Sequence, residues 1–210
     1  MLKIENTVVS GWEAAIRGMR NPMNSWEQSD SYFNPRTEDE LVGEKDLDLM
    51  KRLAKAGSDH RKFMRMINVT TDITGPLYWW KEYDTYKVGT VADSCSTMHK
   101  IHAKEFELED FSHEHLFDDE DNYICPVRTL RGVIDELNYY RKKYLETKDK
   151  SYWWQMIQLL PSSYNQRRTV QLNYEVLRNM VGSRSGHKLD EWHILCDWAK
   201  ELPYAEGLIY

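Results

Sequence analysis

Apolar positions along this chain recur with two periods, and the switches between them predict an order of strands and helices. Leu2, Ile4 and Val8 share one side of an extended run, which predicts a strand over residues 2–9. A short helix follows over 12–19, with Ser10 as its cap. Residues 21–36 are polar and carry two prolines, so they read as a long surface loop. Leu47, Met50, Leu53 and Ala54 predict a helix over 44–56, closed by Gly57. Phe63, Met64, Met66, Ile67 and Val69 then suggest a strand over 60–72. Gly75-Pro76 breaks it, and the aromatic run 77–83 reads as helical.

The second half is more regular. Pro126 opens the longest helix, 126–148, whose buried stripe is Val127, Leu130, Ile134 and Leu137. Another helix covers 152–160. Residues 162–172, rich in Thr, Val, Tyr and Gln, suit an extended segment. Asn173 is a good cap for the helix that follows, with Leu177, Met180 and Val181 on its apolar face and Ser185-Gly186 at its end. Leu189, Trp192, Leu195, Cys196, Ala199 and Leu202 give a last amphipathic helix, stopped by Pro203. This order implies an α/β (α+β) fold, with a mixed or antiparallel sheet packed against long helices.

Composition narrows the classes. A chain of 210 residues with 41% hydrophobic positions supports one domain with a sizeable core. The net charge of -6, with both signs interspersed, argues against broad nucleic-acid binding and leaves room for a local basic site. No apolar run approaches a membrane span and the N-terminus lacks a signal-peptide pattern, so a cytoplasmic protein is expected. Cys95, Cys125 and Cys196 lack CxxC spacing and suit a reducing compartment.

Several residue groups could carry chemistry. Cys95, His99 and His102 fall at i, i+4 and i+7, the spacing of one helical face. A zinc site with a later His is one reading and simple packing the other. Packing is favoured and no metal is expected, because the spacing matches no closed pattern. The acidic run 118–121 reads as a solvated loop. Arg141, Lys142 and Lys143 suit the C-terminal dipole of the long helix. Tyr78-Trp79-Trp80 and Tyr152-Trp153-Trp154 fit core or interface packing better than ligand stacking. The richest candidate set is Arg167, Arg168, Gln171, Asn173 and Arg184, whose amides and guanidinium groups can read a pyrimidine edge and its phosphate. Arg167 and Arg168 are adjacent, so on a strand at most one faces a shared site. Asn173 as a bare helix cap and Arg184 as a bare helix-end charge remain open alternatives.

Leu160-Pro161, Asn173, Leu177 and Arg184 resemble, in identity and spacing, the C-terminal part of the flavin-dependent thymidylate synthases. Asp190 and Trp192 stand where that family usually carries Gln and Glu. The opening strand and helix, and then a helix, His60 and a strand with Phe63, follow the same order. The resemblance implies a homotetramer with sites between subunits, using FAD, a folate methylene donor and dUMP. It implies that Arg184 contacts the uracil ring and that Asn173 lies near the flavin, with Arg168 and Gln171 completing a nucleotide set. Lys81, Trp80 and His60 would serve the cofactor. The family also carries an Arg-His-Arg signature that holds phosphates. Counted from His60, that register falls near Trp79-Trp80-Lys81, and no Arg occurs between Arg65 and Arg128. Lys81 and Lys87 supply charge but no bidentate fork. FAD binding is therefore expected to be weak or absent. Two functions follow: an enzyme that methylates or otherwise modifies a pyrimidine nucleotide, or a catalytically lapsed relative that binds a nucleotide or a protein partner. A zinc-containing interaction module rests on the His and Cys spacing alone.

Overall fold

The computed structural model of the chain describes residues 1–34, 40–119 and 123–210. Pro35 and Arg36 of the expected loop, and Glu120 and Asp121 of the acidic run, lie outside them. Strands β1 (Lys3–Ser10), β4 (Asn68–Pro76), β5 (Val91–Ser94) and β6 (Asn165–Asn173) form a four-stranded sheet in the order β1-β4-β6-β5. The sheet is antiparallel, as the sequence allowed. Two-residue strands β2 (Tyr32–Phe33) and β3 (Glu40–Leu41) pair antiparallel beside it in sequence. The helices are α1 (Trp12–Arg20), α2 (Glu44–Lys55), α3 (Leu77–Tyr83), α4 (Thr97–Lys100), α5 (Pro126–Thr147), α6 (Lys150–Leu159), α7 (Tyr174–Arg184) and α8 (Asp190–Lys200). Among the described residues no helix is long and apolar enough to cross a membrane.

The contacts divide the chain into two compact units. The first comprises Met1–Lys3, Ile73–Thr85 and Asp93–Arg168; the second comprises Ile4–Asp72, Tyr86–Ala92 and Thr169–Tyr210. In the first unit, α5 and α6 form an antiparallel hairpin. Its stripe of Leu130, Ile134, Leu137 and Met156 closes on Ile101, Phe106 and Phe111. The Asn138 amide bonds both the N–H and the C=O of Phe106, each at 2.9 Å, so the backbone that crosses α5 is satisfied. The start of α3 is tied down by Leu77 N–H to the Tyr164 carbonyl and Tyr78 N–H to the Ser162 carbonyl, both at 3.0 Å. These bonds satisfy two of the donors that a helix start leaves open.

In the second unit, Trp12, Ile16 and Met19 of α1 join Met50 and Ala54 of α2 and Leu177, Met180, Trp192 and Leu195 of α7 and α8 as buried core. Trp12 meets Tyr174 and Tyr204 edge-on at 5.3 and 5.1 Å. Gly11 enters α1 at φ 93, and a Cβ there would lie 2.1 Å from the Met66 carbonyl oxygen, so only glycine fits.

Local differences from the sequence reading have physical causes. In β1, Val8 is 63% exposed, because Asn6 sits at φ 54 inside the strand and breaks the side-chain alternation. Ser10 is the last strand residue, and Gly11 occupies the cap of α1 without a side-chain bond. The expected strand over 60–72 is split: Lys62–Met66 winds into a 3-10 turn and the strand starts at Asn68. The polar loop after α1 contains two 3-10 turns, Asn21–Met23 and Trp26–Gln28. α4 spans only Thr97–Lys100, so Cys95 and His102 fall outside it and the expected i, i+4, i+7 face does not form.

That polar loop is held by a buried ion pair. Arg20 Nε donates to Asp46 Oδ1 at 2.6 Å, with the two side chains 4% and 0% exposed. Arg20 also reaches the carbonyls of Ser25 and Gln28 at 3.1 and 3.2 Å. Asp46 Oδ2 accepts from the Ser29 hydroxyl at 2.6 Å, the Ser31 hydroxyl at 2.7 Å and Asp30 N–H at 3.2 Å. Burial alone pushes this carboxyl up; the hydrogen bonds from Ser29, Ser31 and Arg20, with the charge of Arg20, outweigh it and hold Asp46 below the ordinary aspartate range. The depressed value means stability that is present above the unfolded aspartate pKa of about 3.9 and lost as pH falls through the folded value. Asp46→Ala leaves Arg20 buried without its partner, so urea unfolding near neutral pH should show a loss of about 3–5 kcal/mol. The deficit should shrink in acid. A loss below about 1 kcal/mol at neutral pH contradicts this role.

Candidate functional site

β6 runs into α7 without a loop, and Asn173 makes the junction. Its backbone is extended, at φ -130 and ψ 169, and its Oδ1 accepts the Val176 N–H at 3.1 Å. The cap reading of Asn173 therefore holds, with the residue almost fully buried. Gly89 approaches the same side chain. At φ 77, a Cβ on it would lie 3.0 Å from Asn173 Nδ2 and 3.1 Å from Val176 Cγ2.

Arg184 closes α7 at the other end. Its Nε donates to the Tyr86 hydroxyl at 3.0 Å. Its guanidinium carbon lies 4.7 Å from the Trp192 ring centre and 5.6 Å from that of Tyr86. Tyr86 and Trp192 meet edge-on at 5.9 Å, and His187 meets Trp192 at 6.2 Å. His187 N–H bonds the Arg184 carbonyl at 3.0 Å, and His187 Nδ1 accepts the Leu189 N–H at 3.1 Å, which fixes that ring between α7 and α8. The plane of Arg184 is thus set by aromatic faces, an arrangement a lysine cannot copy. The segment 86–90 touches both ends of α7: Gly89 at Asn173, Tyr86 at Arg184. Tyr86, Trp192 and His187 were not singled out as site residues in the sequence. Trp192 showed as part of an apolar stripe and as a departure from the family's Glu, and Tyr86 lies in a stretch without periodicity.

The other sequence candidates lie elsewhere. Gln171 is in the second unit, exposed on β6. Arg168 is in the first unit and engaged within it. It donates to Asp84 at 2.7 Å and to Gln166 Oε1 at 3.0 Å, and its guanidinium carbon lies 4.1 Å from the Trp80 ring centre. Trp80 is 1% exposed, and its Nε1 donates to the Gln166 carbonyl at 2.9 Å; Trp79 is 0% exposed. Both rings pack as core beside Tyr83, whose buried hydroxyl has no hydrogen-bond partner among the described residues and whose pKa is raised by burial. Lys81 is exposed on the same helix.

His60 lies in the second unit, exposed at a cleft of about 980 Å³ between α1, α2 and residues 59–63. Met19, Leu49, Leu53 and Phe63 line it, with Lys45, Arg52, His60 and Lys62 set against Asp59. Arg20 forms part of its wall. The three cysteines are free, and among the described residues no three His, Cys, Asp or Glu side chains are grouped to hold a metal ion.

No protein-family model and no curated protein matches the chain. Solved structures do share its fold. Thymidylate synthase X from Helicobacter pylori, crystallised with FAD and dUMP, superposes with a TM-score of 0.71 at 18% identity, covering 100% of this chain and 97% of that one. A second structure, the flavin-dependent thymidylate synthase from the same organism complexed with FAD and dUMP, gives 0.70 at 18% identity, covering 99% and 97%. At this identity the likeness is one of fold.

The junction at Asn173 can be tested by stability alone. Asn173→Ala should cost about 1 kcal/mol in urea unfolding, while Asn173→Ser keeps a cap oxygen and most of that energy. An unchanged midpoint for Asn173→Ala contradicts the capping role.

Proposed function

We propose that the second unit binds a pyrimidine nucleotide of the dUMP type, with Arg184 as its main recognition group. The observation that carries this reading is the Arg184 guanidinium, fixed in plane by Tyr86 and Trp192 within a fold shared along its whole length with structures that hold dUMP. A pre-oriented fork can give two parallel hydrogen bonds to a uracil carbonyl or a phosphate at little entropic cost. Asn173 spends its carbonyl on the cap, which leaves its amide nitrogen as the donor side. Gln171 enters this reading only as a secondary group; Arg168, in the first unit, is already committed to its ion pair with Asp84.

FAD fits the chain less well. Residues 79–81, where the sequence puts the phosphate-binding register, are two buried tryptophans and one exposed lysine. A diphosphate there would meet the point charge of Lys81 and an Arg168 guanidinium already bonded to Asp84, and burying it without free donors is costly. We therefore read the chain as a nucleotide-binding protein of this fold that has lost resident flavin; methylation of the nucleotide is the second reading, and the shared fold favours it. Assembly into a homotetramer belongs to the same proposal, and light scattering reads it directly.

Calorimetry with dUMP tests the pocket. Removing a charged hydrogen bond from a desolvated site costs about 1.5–3 kcal/mol, or about a tenfold to hundredfold loss of affinity. Arg184→Ala and Arg184→Lys should both fall in that range. Their melting temperatures should change little, because a helix-end charge is worth only about 0.3–1 kcal/mol. If wild type binds no pyrimidine nucleotide, or both variants bind as tightly as wild type, the assignment is wrong.

A further inference from the structure

The basic cluster Arg141, Lys142 and Lys143 does not serve the helix dipole as the sequence suggested. α5 continues to Thr147, and its last turn contains no basic residue. Arg141 is spent on the His102 carbonyl, to which its Nε donates at 3.0 Å. The cluster belongs instead to a larger surface at the tip of the α5–α6 hairpin, within the first unit. Lys148, at φ 59, turns the chain, and Lys150 opens α6.

Five cations therefore fall within ten residues, against Glu146 and Asp149. Glu146 pairs with Lys143 at 3.6 Å, and Asp149 caps α6 through Ser151 N–H at 2.8 Å. Among the described residues, Lys142, Lys148 and Lys150 have no carboxylate partner within salt-bridge distance. Like charges held this close repel one another in a chain that is acidic as a whole. His102, half-buried beside Tyr144 at 4.9 Å, reports the same field: desolvation first, and then Lys148, Lys100 and Arg141, lower its pKa.

The cations are interleaved with rings. Lys148 lies 5.8 Å from the Tyr144 ring centre, and Lys150 lies 5.9 and 5.6 Å from those of Trp153 and Trp154. Tyr139 and Trp154 remain 56% and 42% exposed. Trp153 is anchored through Nε1 to the Met98 carbonyl at 3.2 Å. A flat, wet ring with a lysine over it can exchange that cation for a base face while the ammonium moves to a phosphate. Both costs, unmatched charge and exposed aromatic area, are relieved by a polyanion that carries planar apolar groups.

We propose that the tip of the α5–α6 hairpin binds single-stranded nucleic acid without base specificity, the lysines on phosphates and Trp154 and Tyr139 on bases. An anionic membrane is the weaker partner, because insertion needs a continuous aliphatic face. Beside the rings, this tip offers only Leu145, set among Thr147, Ser151 and Gln155.

The test is fluorescence anisotropy of the full chain with a labelled oligodeoxyadenylate of about 20 nucleotides, beyond the ~4–16 spanned by typical single-strand sites. A purine strand avoids the pyrimidine pocket, and Arg184→Ala is carried as a control that should bind unchanged. Affinity should fall at least tenfold as salt rises from about 50 to about 200 mM, as expected for several phosphate contacts. Lys148→Glu with Lys150→Glu should weaken binding about tenfold or more, and Trp154→Ala about fivefold or more. Lys142→Glu, at an exposed site, gives a second charge variant that leaves the hairpin turn untouched. Circular dichroism confirms that each variant is folded. No binding at low salt, equal binding by the folded charge variants, or binding only to phosphatidylserine vesicles overturns the proposal.

Discussion

The hydrogen bond from Val176 N–H to Asn173 Oδ1 lets a strand become a helix without an intervening loop. That economy fixes more than the start of α7. Helical rise carries Arg184 about 16 Å along from the junction, to a place where Trp192 and Tyr86 can hold it. The same side chain sets how near the 86–90 segment comes, since a Cβ on Gly89 would crowd Asn173 at 3.0 Å. One cap thus positions both the guanidinium and the segment that orients it. A strand-to-helix joint with a free loop would let the two drift, and a recognition group that drifts loses the benefit of its pre-set plane.

Elsewhere the structure places charge by satisfying it. Arg20 and Asp46 are tolerated in the core because both ions have their remaining bonds met by the loop they organise. Arg61 and Glu175 repeat the solution at the start of α7, with Nε bonded to both carboxylate oxygens at 3.1 and 2.9 Å. Arg168 is committed in the same way, between Asp84 and the Trp80 face. Arg184 is held in part by a hydroxyl and two ring faces, those of Tyr86 and Trp192.

Much of this was legible in the sequence wherever one period ran long enough. The stripe of α5, the faces of α7 and α8 and the cap at Asn173 all follow from local spacing. Reading failed where geometry departed from a period. Asn6 flips the face of β1, and a 3-10 turn hides inside what looks like a strand before Asn68. Local spacing does not mark Asp46 as buried, because its partner Arg20 lies 26 residues away. The candidate site divides along the same line. Asn173 and Arg184 stand at spacings a sequence displays, whereas Tyr86, 98 residues before Arg184, joins it only through the fold. The two tryptophans at 79 and 80 suited core or interface packing better than ligand stacking, and their burial agrees.

The central proposal is that the second unit binds a pyrimidine nucleotide while Trp79 and Trp80, in the expected phosphate register, are core. Its most direct measurement is to mix the purified protein with FAD and dUMP together, separate bound from free by gel filtration, and record the visible spectrum and nucleotide content of the protein fraction. The account predicts a colourless protein, with dUMP bound in a parallel equilibrium dialysis. A yellow protein that keeps flavin in stoichiometric amount, or one that takes up neither molecule, contradicts it.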